Sequence, residues 1–291
     1  MIPGIDMQAL SRLARLRLSG FVALSTATGY VTAWGDLSPA LLGPALAALL
    51  LAAGASALNQ YQERDLDARM DRTRDRPIPS GRISPGKVLG FSLLSIAVAL
   101  LMLALTGGTL PLVLGAIAII SYNGLYTRLK RRTAFAAIPG ALIGSLGPAI
   151  GWTAAGGTLD SKALLAIMLV FYLWQVPHFW LLNLRYPDDY AGAGYPCPVE
   201  VMGRKRLTRL TAVWISSAAI ASLLFPLFGF FRSAGLYVIL CVAVVTLGTM
   251  LIGMFRSQGA NEQKLRLGFA SVNLYVLVTM LLLLADRGLY T

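Results

Sequence analysis

Three oxygen-bearing side chains recur at four-residue intervals where the second apolar segment of the chain ends. They are Asn59, Glu63 and Asp67. If the preceding helix continues through Asp67, each step of four residues rotates only about 40° around the axis, so the three side chains form one stripe. Asp65 points to another side of that helix. Oxygen ligands on one helix face suit a hard cation such as Mg²⁺, which keeps several waters and is commonly shared with a phosphate.

The segment that holds this stripe, residues 59–81, carries a high density of charge. It contains five of the 13 Asp and Glu residues, among several arginines, directly after a long run of apolar or small residues. Charge at this density cannot lie in hydrocarbon, so the segment emerges at a membrane face or lines a wet cavity. The alternative is a solvated interfacial loop whose opposite charges pair, and the four-residue spacing favours a cation site.

Basic residues flank the stripe on two segments. Arg72 and Arg76 follow it directly, and Lys130 and Arg131 lie in the block Y-T-R-L-K-R-R-T at residues 126–133. Carboxylates that hold a metal and basic groups that take the remaining oxygens together form a diphosphate site. The alternative for the second block is a topology signal, because cytoplasmic loops of membrane proteins are rich in Lys and Arg.

A second group of chemically capable residues lies near the cytoplasmic end of the sixth apolar segment. Trp174, His178 and Arg185 have the spacing of one helix face, and the acidic pair Asp188 and Asp189 follows them. If the apolar segments form a bundle, this pair and the first stripe meet at the mouth of a common cavity.

His178 is the only histidine of the chain. Inside a membrane helix such a residue either bonds a backbone carbonyl at a proline kink, here at Pro177, or faces a functional cavity. The spacing leaves both interpretations open, and axial contact with a heme iron is a third.

A divalent cation, phosphate-binding cations and an apolar bundle together indicate an isoprenoid diphosphate whose tail lies among the helices. Ionisation of its allylic carbon–oxygen bond requires that metal and arginines neutralise the leaving group and that aromatic faces shield the carbocation. Tyr122, Tyr126, Phe135 and Trp174 are candidate walls of such a pocket, and each of them alone also fits ordinary core packing.

The elements that must position these residues are membrane helices. The 291 residues are 56% hydrophobic, and a mean hydropathy of +0.68 is too high for soluble domains of that length. At about twenty apolar residues per crossing, we predict one all-α domain of residues 1–291, with nine transmembrane helices around a central cavity open to the cytoplasm. The predicted spans are 18–35, 38–62, 88–106, 109–127, 134–156, 162–184, 210–231, 234–255 and 267–285.

The basic residues orient this bundle. With the N-terminus inside, 22 of the 25 Lys and Arg residues lie on the cytoplasmic side, and only Lys162, Arg232 and Arg287 do not. This asymmetry explains the formal net charge of +12 without nucleic acid as a partner. No cleavable signal sequence is evident before the first span, and the two cysteines, Cys197 and Cys241, form neither a disulfide framework nor a metal-binding pair.

The fifth predicted span contains four glycines at small-x-x-x-small spacing. This pattern predicts close helix packing, and a flat ligand against the exposed backbone is the alternative. Two prolines, Pro139 and Pro148, predict that the helix is kinked. The glycines are Gly140, Gly144, Gly147 and Gly151.

Several blocks of this chain resemble the UbiA superfamily of intramembrane prenyltransferases. They include Asn59-x-x-x-Glu63-x-Asp65-x-Asp67 with the following M-D-R-T-R-D-R-P-I-P-S-G, the basic block 126–133, the glycine-rich block 139–152, and W-Q-V-P-H-F-W followed by D-Y-A-G-A-G. The blocks occur in the order typical of the family, and nine spans extend the likeness over nearly the whole chain. Within the superfamily the match is to members that farnesylate heme.

The resemblance implies Mg²⁺-dependent transfer of a farnesyl group from farnesyl diphosphate to a vinyl group of heme B, with water supplying a hydroxyl, to give heme O. It also assigns roles by position. Acidic and amide side chains of two segments would hold the metal, namely Asn59, Glu63, Asp67, Asp188 and Asp189, and Asn59, Glu63, Asp67 and Asp189 would be catalytic. Four basic residues would bind the diphosphate: Arg72, Arg76, Lys130 and Arg131. Four residues would face the acceptor: Tyr126, Trp174, His178 and Arg185.

The resemblance further implies a protein surrounded by membrane lipid in a bacterial inner membrane, with the N-terminus and the mouth of the site in the cytoplasm. A heme A synthase or a cytochrome oxidase assembly factor is a candidate partner. Competing hypotheses are a related prenyltransferase acting on another aromatic, chlorin or lipid acceptor, and a non-catalytic heme chaperone or transporter. Transporters commonly place ionisable groups near the membrane midplane, whereas the acids of this chain cluster at one face.

Overall fold

A computed structural model describes residues 7–256 and 262–288, and every regular element in these two ranges is helical. The α-helices, in chain order, are α1 (Met7–Ala14), α2 (Leu16–Trp34), α3 (Leu42–Asp67), α4 (Pro85–Gly107), α5 (Thr109–Ile119), α6 (Thr127–Leu129), α7 (Ala137–Gly140), α8 (Leu142–Ala154), α9 (Lys162–Arg185), α10 (Pro187–Gly192), α11 (Pro198–Met202), α12 (Arg204–Leu223), α13 (Ala234–Arg256) and α14 (Glu262–Gly288). A π-helical segment, Ile120–Tyr126, joins α5 to α6. The all-α prediction is confirmed.

Six helical stretches are long and apolar enough to cross a membrane. They are Pro39–Asp67, Pro85–Gly107, Thr109–Leu129, Lys162–Arg185, Ala234–Ile252 and Glu262–Gly288. The other three predicted spans coincide with α2, with α7 plus α8, and with α12, which are helical but shorter or more polar. The count of nine crossings therefore stays a prediction.

Hydroxyl side chains make α2 less apolar than the six stretches named above. Ser25, Thr28 and Thr32 donate to backbone carbonyls three or four residues earlier in the same helix, at 2.7–2.9 Å. Such bonds satisfy polar groups where water is absent. The hydroxyls therefore fit the interior of a bundle, and their small size lets a neighbouring helix approach.

That neighbour is α8, and its glycines make the approach possible. A Cβ atom on Gly147 would lie 2.2 Å from the Ser25 hydroxyl, and one on Gly151 would lie 1.7 Å from the backbone oxygen of Thr26. Close helix packing is therefore the confirmed interpretation for both glycines. At Pro139 the predicted kink corresponds to a break, because α7 ends at Gly140 and α8 begins at Leu142, whereas Pro148 lies inside α8.

The N-terminal helix α1 packs against the C-terminal half of α3. Ala9 and Leu13 pack in one buried cluster with Ala57 of α3 and with Ile78 and Ile83 of the following loop. The carbonyl of Leu13 accepts a hydrogen bond from the buried Gln60 side chain of α3 at 2.8 Å. This contact places the junction of α1 and α2 beside the predicted stripe.

We predict that Gly151→Ala destabilises the protein by about 1–3 kcal/mol, the usual range for overpacking, because the added Cβ meets the Thr26 backbone. Thermal unfolding in detergent measures the loss. Gly20→Ala is the matched control, since Gly20 lies within α2 and a Cβ atom added there would have nothing within 4 Å. Equal stability of the two variants would contradict the close contact of α2 and α8.

Candidate active site

The predicted stripe lies on one buried face of α3. The helix continues without a break to Asp67, and Asn59, Glu63 and Asp67 are only 2%, 2% and 3% exposed. The Asp65 side chain is 81% exposed. The helical periodicity thus separates three inward-facing oxygen-bearing residues from a solvated neighbour, as the four-residue spacing requires.

Each buried carboxylate of the stripe has a cationic partner from a different segment. Lys130 Nζ lies 2.5 Å from Glu63 Oε2, and Arg76 Nη1 lies 2.6 Å from Asp67 Oδ2. Burial lowers the pKa of Lys130 and of Arg76 from their ordinary values, and the carboxylate partners oppose that shift. A buried charge without a partner is strongly destabilising, so these two pairs hold the loops after α3 and α6 against the stripe.

A third cation, from the N-terminal end of the chain, lies near the two ion pairs of the stripe. Arg15 joins α1 to α2 with φ 45° and ψ 54°, a left-handed conformation that is uncommon for a residue with a side chain. Burial is the main cause of the lowered pKa of Arg76 and of Lys130, and the positive charge of Arg15 lowers both further. The sequence alone gave no reason to separate Arg15 from the other basic residues of the N-terminus.

The second acidic segment contacts the first through the loop that follows α3. The backbone N–H of Arg72 donates to Asp189 Oδ2 at 3.2 Å, and the Arg72 guanidinium lies 5.7 Å from the ring centroid of Tyr186 and 5.8 Å from that of Tyr190. Asp188, in the same first turn of α10, is exposed. The two acidic segments therefore meet. Asp189 is bonded to the loop of residues 68–84 and not to the stripe itself.

Tyr195, a residue that the sequence analysis missed, joins the second segment to the stripe directly. Its hydroxyl donates to Glu63 Oε1 at 3.1 Å. Burial and the nearby Glu63 carboxylate raise the pKa of Tyr195, so the hydroxyl keeps its proton. Tyr195 also packs with Met70 and Ala193 in a small apolar cluster between the two loops.

The π-helical segment positions the aromatic side of the site. Asn123, in its centre, donates to the Ala55 carbonyl at 3.0 Å and to Gln62 Oε1 at 3.2 Å, while the Gln62 amide donates back to the Asn123 carbonyl at 3.1 Å. These bonds fasten the segment to α3. Short π-helical segments occur frequently at functional sites.

The amide of Asn59 supports the same segment from the stripe. Asn59 Nδ2 donates to Thr127 Oγ1 at 3.1 Å, and that hydroxyl donates to the Tyr122 carbonyl at 2.9 Å. Tyr122 and Tyr126 consequently stack with centroids 6.0 Å apart, and Lys130 Nζ lies 5.6 Å from the Tyr126 ring. The candidate wall Tyr126 is thus next to the cations, whereas Phe135 is 39% exposed.

A row of rings extends from Tyr126 to the predicted acceptor residues. The Tyr126 ring lies 5.3 Å from Phe179, Phe179 lies 5.7 Å from His178, and His178 lies 5.3 Å from Trp174. Phe21 stacks on the far side of Trp174 at 5.2 Å. Among the described residues, the three central acceptor candidates therefore share one continuous aromatic row that begins at the cation cluster.

His178 bonds a side chain and not the backbone. Its Nδ1 atom lies 2.8 Å from Oδ1 of Asn273, which belongs to α14. Of the two interpretations that the sequence left open, the structure therefore does not support a bond to a carbonyl at the Pro177 kink. Asn273 was not among the residues that the sequence singled out.

Two predicted residues lie at the margin of this arrangement. Arg185 pairs with Glu262 at 3.3 Å and lies 4.7 Å from the Tyr186 ring, at the end of α9. Arg131 is exposed and donates to the Gln62 carbonyl at 2.7 Å. A surface cleft of about 620 Å³ lies along the start of α14, lined by Glu262 and its neighbours on that helix, and does not include the stripe. The predicted central cavity stays a prediction.

The donor set fits a magnesium–diphosphate complex. Among the described residues, no group of three His, Cys, Asp or Glu side chains is arranged to hold a metal ion. Mg²⁺ is usually bound through one or two carboxylates plus substrate phosphates, and not by a cage made of protein alone. Two buried carboxylates beside three cations meet that requirement.

Comparison with known proteins identifies the family of this chain. Residues 21–283 match the UbiA prenyltransferase family. A protein named "Protoheme IX farnesyltransferase" from Oleidesulfovibrio alaskensis is 40% identical over 97% of this chain and 97% of its own. A protein of the same name from Geobacter sulfurreducens is 43% identical over 75% of this chain and 80% of its own.

The fold is similar to that of a solved UbiA homolog from Archaeoglobus fulgidus, bound to DMAPP and Mg²⁺. The TM-score is 0.67 at 14% identity, over 94% of this chain and 98% of that chain. At this identity the likeness shows the fold. With its apolar helices, this protein is an integral membrane protein, and the chain belongs to the UbiA prenyltransferase family.

Proposed function

We propose that this protein transfers a farnesyl group from farnesyl diphosphate to a vinyl group of heme B, with addition of water, to make heme O. The observation that carries the proposal is the crowding of Arg15, Arg76 and Lys130 around the buried carboxylates Glu63 and Asp67. The names of the relatives supply the identities of the prenyl donor and the acceptor.

The crowded cations are suited to an anion with several oxygens. Burial lowers the pKa of Arg76, and repulsion by the like charges of Arg15 and, less strongly, Arg72 lowers it further. A diphosphate placed among these groups would replace repulsion with charge-assisted hydrogen bonds. The diphosphate would therefore be bound by Arg15, Arg76 and Lys130. Arg72 would lie at its edge, and the exposed Arg131 would be the outermost of the predicted basic residues.

Glu63 and Asp67 would hold Mg²⁺ together with the diphosphate, and Asp189 would reach the site from α10, with the exposed Asp188 beside it. When bound, the ion supplies positive charge that stabilises the leaving diphosphate. The A. fulgidus homolog bound to DMAPP and Mg²⁺ supports this choice of ion. Asn59 would act by holding Thr127, and through it the π-helical segment, in place.

The chemistry then follows from the arrangement. The allylic carbon–oxygen bond breaks and its electron pair leaves with the diphosphate, which the cations neutralise. The faces of Tyr126 and Phe179, next to Lys130, would stabilise the farnesyl cation and exclude water from it. The terminal vinyl carbon of the heme forms the new carbon–carbon bond, and water adds to the neighbouring carbon with loss of a proton.

Trp174 and His178 would face the heme, with Tyr126 between acceptor and donor and Arg185 at the cytoplasmic end of α9. The relatives favour heme over another aromatic, chlorin or lipid acceptor, and an enzyme over a chaperone or transporter. The asymmetry of Lys and Arg supports a cytoplasmic N-terminus. A bacterial inner membrane location and a heme A synthase or oxidase assembly partner remain part of the proposal.

We predict that the purified protein, given heme B, farnesyl diphosphate and Mg²⁺, produces a hydroxyethylfarnesyl heme. Mass spectrometry of extracted heme identifies the product, and chelation of the metal is expected to abolish its formation. Turnover with a quinone precursor or a chlorin, but not with heme B, would overturn the acceptor while leaving the prenyltransferase assignment intact.

Asp67→Asn is expected to lower product formation by about 10²-fold or more, because one buried charge that holds the metal and orients Arg76 is lost. Asp65→Asn is the matched control, since its side chain is exposed, and we expect activity close to that of the unmodified protein. Full activity of the Asp67 variant would exclude the proposed role of the stripe.

Arg15→Gln is expected to raise the KM for farnesyl diphosphate about tenfold, the equivalent of one charge-assisted hydrogen bond of about 1.4 kcal/mol. Arg17→Gln removes an exposed charge two residues away and is expected to leave the KM unchanged. If both variants raised the KM equally, Arg15 would contribute only to the general positive field of this membrane face.

A further inference from the structure

The hydrogen bond between His178 and Asn273 joins two helices that are far apart in the sequence. His178 lies on α9 and Asn273 on α14, and the Nδ1 to Oδ1 distance is 2.8 Å. Asn273 is not part of the stripe or of the cation cluster. Its contact with the proposed site is the hydrogen bond to the imidazole of His178.

The bonds of Asn273 fix the orientation of its amide. Asn273 Nδ2 donates to the backbone carbonyl of Phe269, one turn earlier in α14, at 2.6 Å. A carbonyl oxygen can only accept, so the amide nitrogen must face Phe269 and the amide oxygen must face His178. Because Oδ1 of Asn273 can only accept a hydrogen bond, Nδ1 of His178 must donate it. The hydrogen of the neutral imidazole is therefore assigned to Nδ1.

The consequence is that Nε2 of His178 carries a lone pair. The ring is partly exposed and lies among Trp174, Phe179 and Phe269, with centroid distances of 5.3, 5.7 and 4.8 Å. Within residues 7–256 and 262–288, no side chain or backbone group donates to Nε2. A neutral imidazole whose other N–H is bonded to an oxygen is the usual form of a histidine that ligates a metal.

We propose that Asn273 is a positioning residue that holds His178 with Nε2 directed at the acceptor, so that Nε2 ligates the iron of the heme substrate. This inference rests on the proposed function and extends it to α14. The flat rings of Trp174 and Phe269 beside the imidazole are suited to a planar tetrapyrrole. Ligation would fix the distance of the heme vinyl group from the prenyl end of the aromatic row.

The test measures the absorption and resonance Raman spectra of heme B bound to the full-length protein in detergent, without farnesyl diphosphate. We expect the spectrum of a histidine-ligated heme. Asn273→Leu should lose that signature in part and weaken heme binding about tenfold or more, the usual cost of removing an outer partner of a metal-ligating histidine. His178→Gly should lose it fully, and added imidazole should restore it.

Asn183→Leu is the matched control. Asn183 lies on α9 and donates to the Phe179 carbonyl at 2.9 Å, the same kind of bond that Asn273 makes within α14, but no hydrogen bond links it to His178. Its heme spectrum should equal that of the unmodified protein. An Asn273→Leu spectrum that also equals it, or a bound heme without a histidine signature, would overturn the inference.

Asn273→Asp keeps a hydrogen-bond acceptor for Nδ1 of His178, and it is the variant to measure if Asn273→Leu does not fold. A carboxylate that accepts from Nδ1–H makes Nε2 a stronger electron donor to the iron, so the iron–histidine stretching frequency of ferrous heme should rise. An unchanged frequency would refute the positioning role. The two proposals fail differently. If heme B neither binds nor yields product, the proposed function is wrong, whereas product formation with a heme that lacks His178 ligation removes only this inference.

Discussion

The pairing of two buried carboxylates on α3 with cations from other segments is the constraint on which the arrangement of this protein depends. Glu63 and Asp67 lie inside a membrane protein at 2% and 3% exposure, where an unpaired charge is very costly. Lys130 and Arg76 balance them. Because these partners come from separate loops, the electrostatic requirement itself determines which loops meet.

The neutral contacts around the pairs follow from the same requirement. Tyr195 donates to the second oxygen of Glu63, and Asn59 steadies the π-helical segment that ends just before Lys130. Packing of α1 on the end of α3 brings Arg15 beside the pairs. The site therefore contains more positive charge than its carboxylates need, and the excess is what a diphosphate would use. The aromatic row starts at Tyr126, beside Lys130, and continues along α9.

Local periodicity made part of this site predictable from the sequence. Asn59, Glu63 and Asp67 could be placed on one face because the four-residue repeat is a property of any α-helix, and the break in the fifth span follows from Pro139. Charge and composition predicted that the two acidic segments lie near each other, and the bond between Arg72 and Asp189 joins them. The count of nine crossings stays a prediction, because α2 and α12 coincide with two of the predicted spans but are more polar than the six long apolar stretches.

The site residues that could not be predicted all make contacts with segments that are distant in the sequence. Arg15 matters because α1 folds back on α3, Tyr195 because two loops pack together, and Asn273 because α14 lies beside α9. None of these relations leaves a local pattern. Conversely, Arg131 sits in a basic block next to Lys130, yet only the structure shows that it is exposed while its neighbour is paired. Spacing along the chain determines the face of a helix, and packing determines what that face meets.

The function proposed for this protein requires that the paired charges of α3 form the diphosphate site. An experimental structure with Mn²⁺ and a non-reactive thio analogue of farnesyl diphosphate tests it most directly, because the anomalous signal of manganese locates the ion. The account predicts manganese at Glu63 and Asp67, diphosphate oxygens on Arg15, Arg76 and Lys130, and the prenyl chain along Tyr126 and Phe179. Manganese and diphosphate bound elsewhere, with both ion pairs of α3 intact, would contradict it.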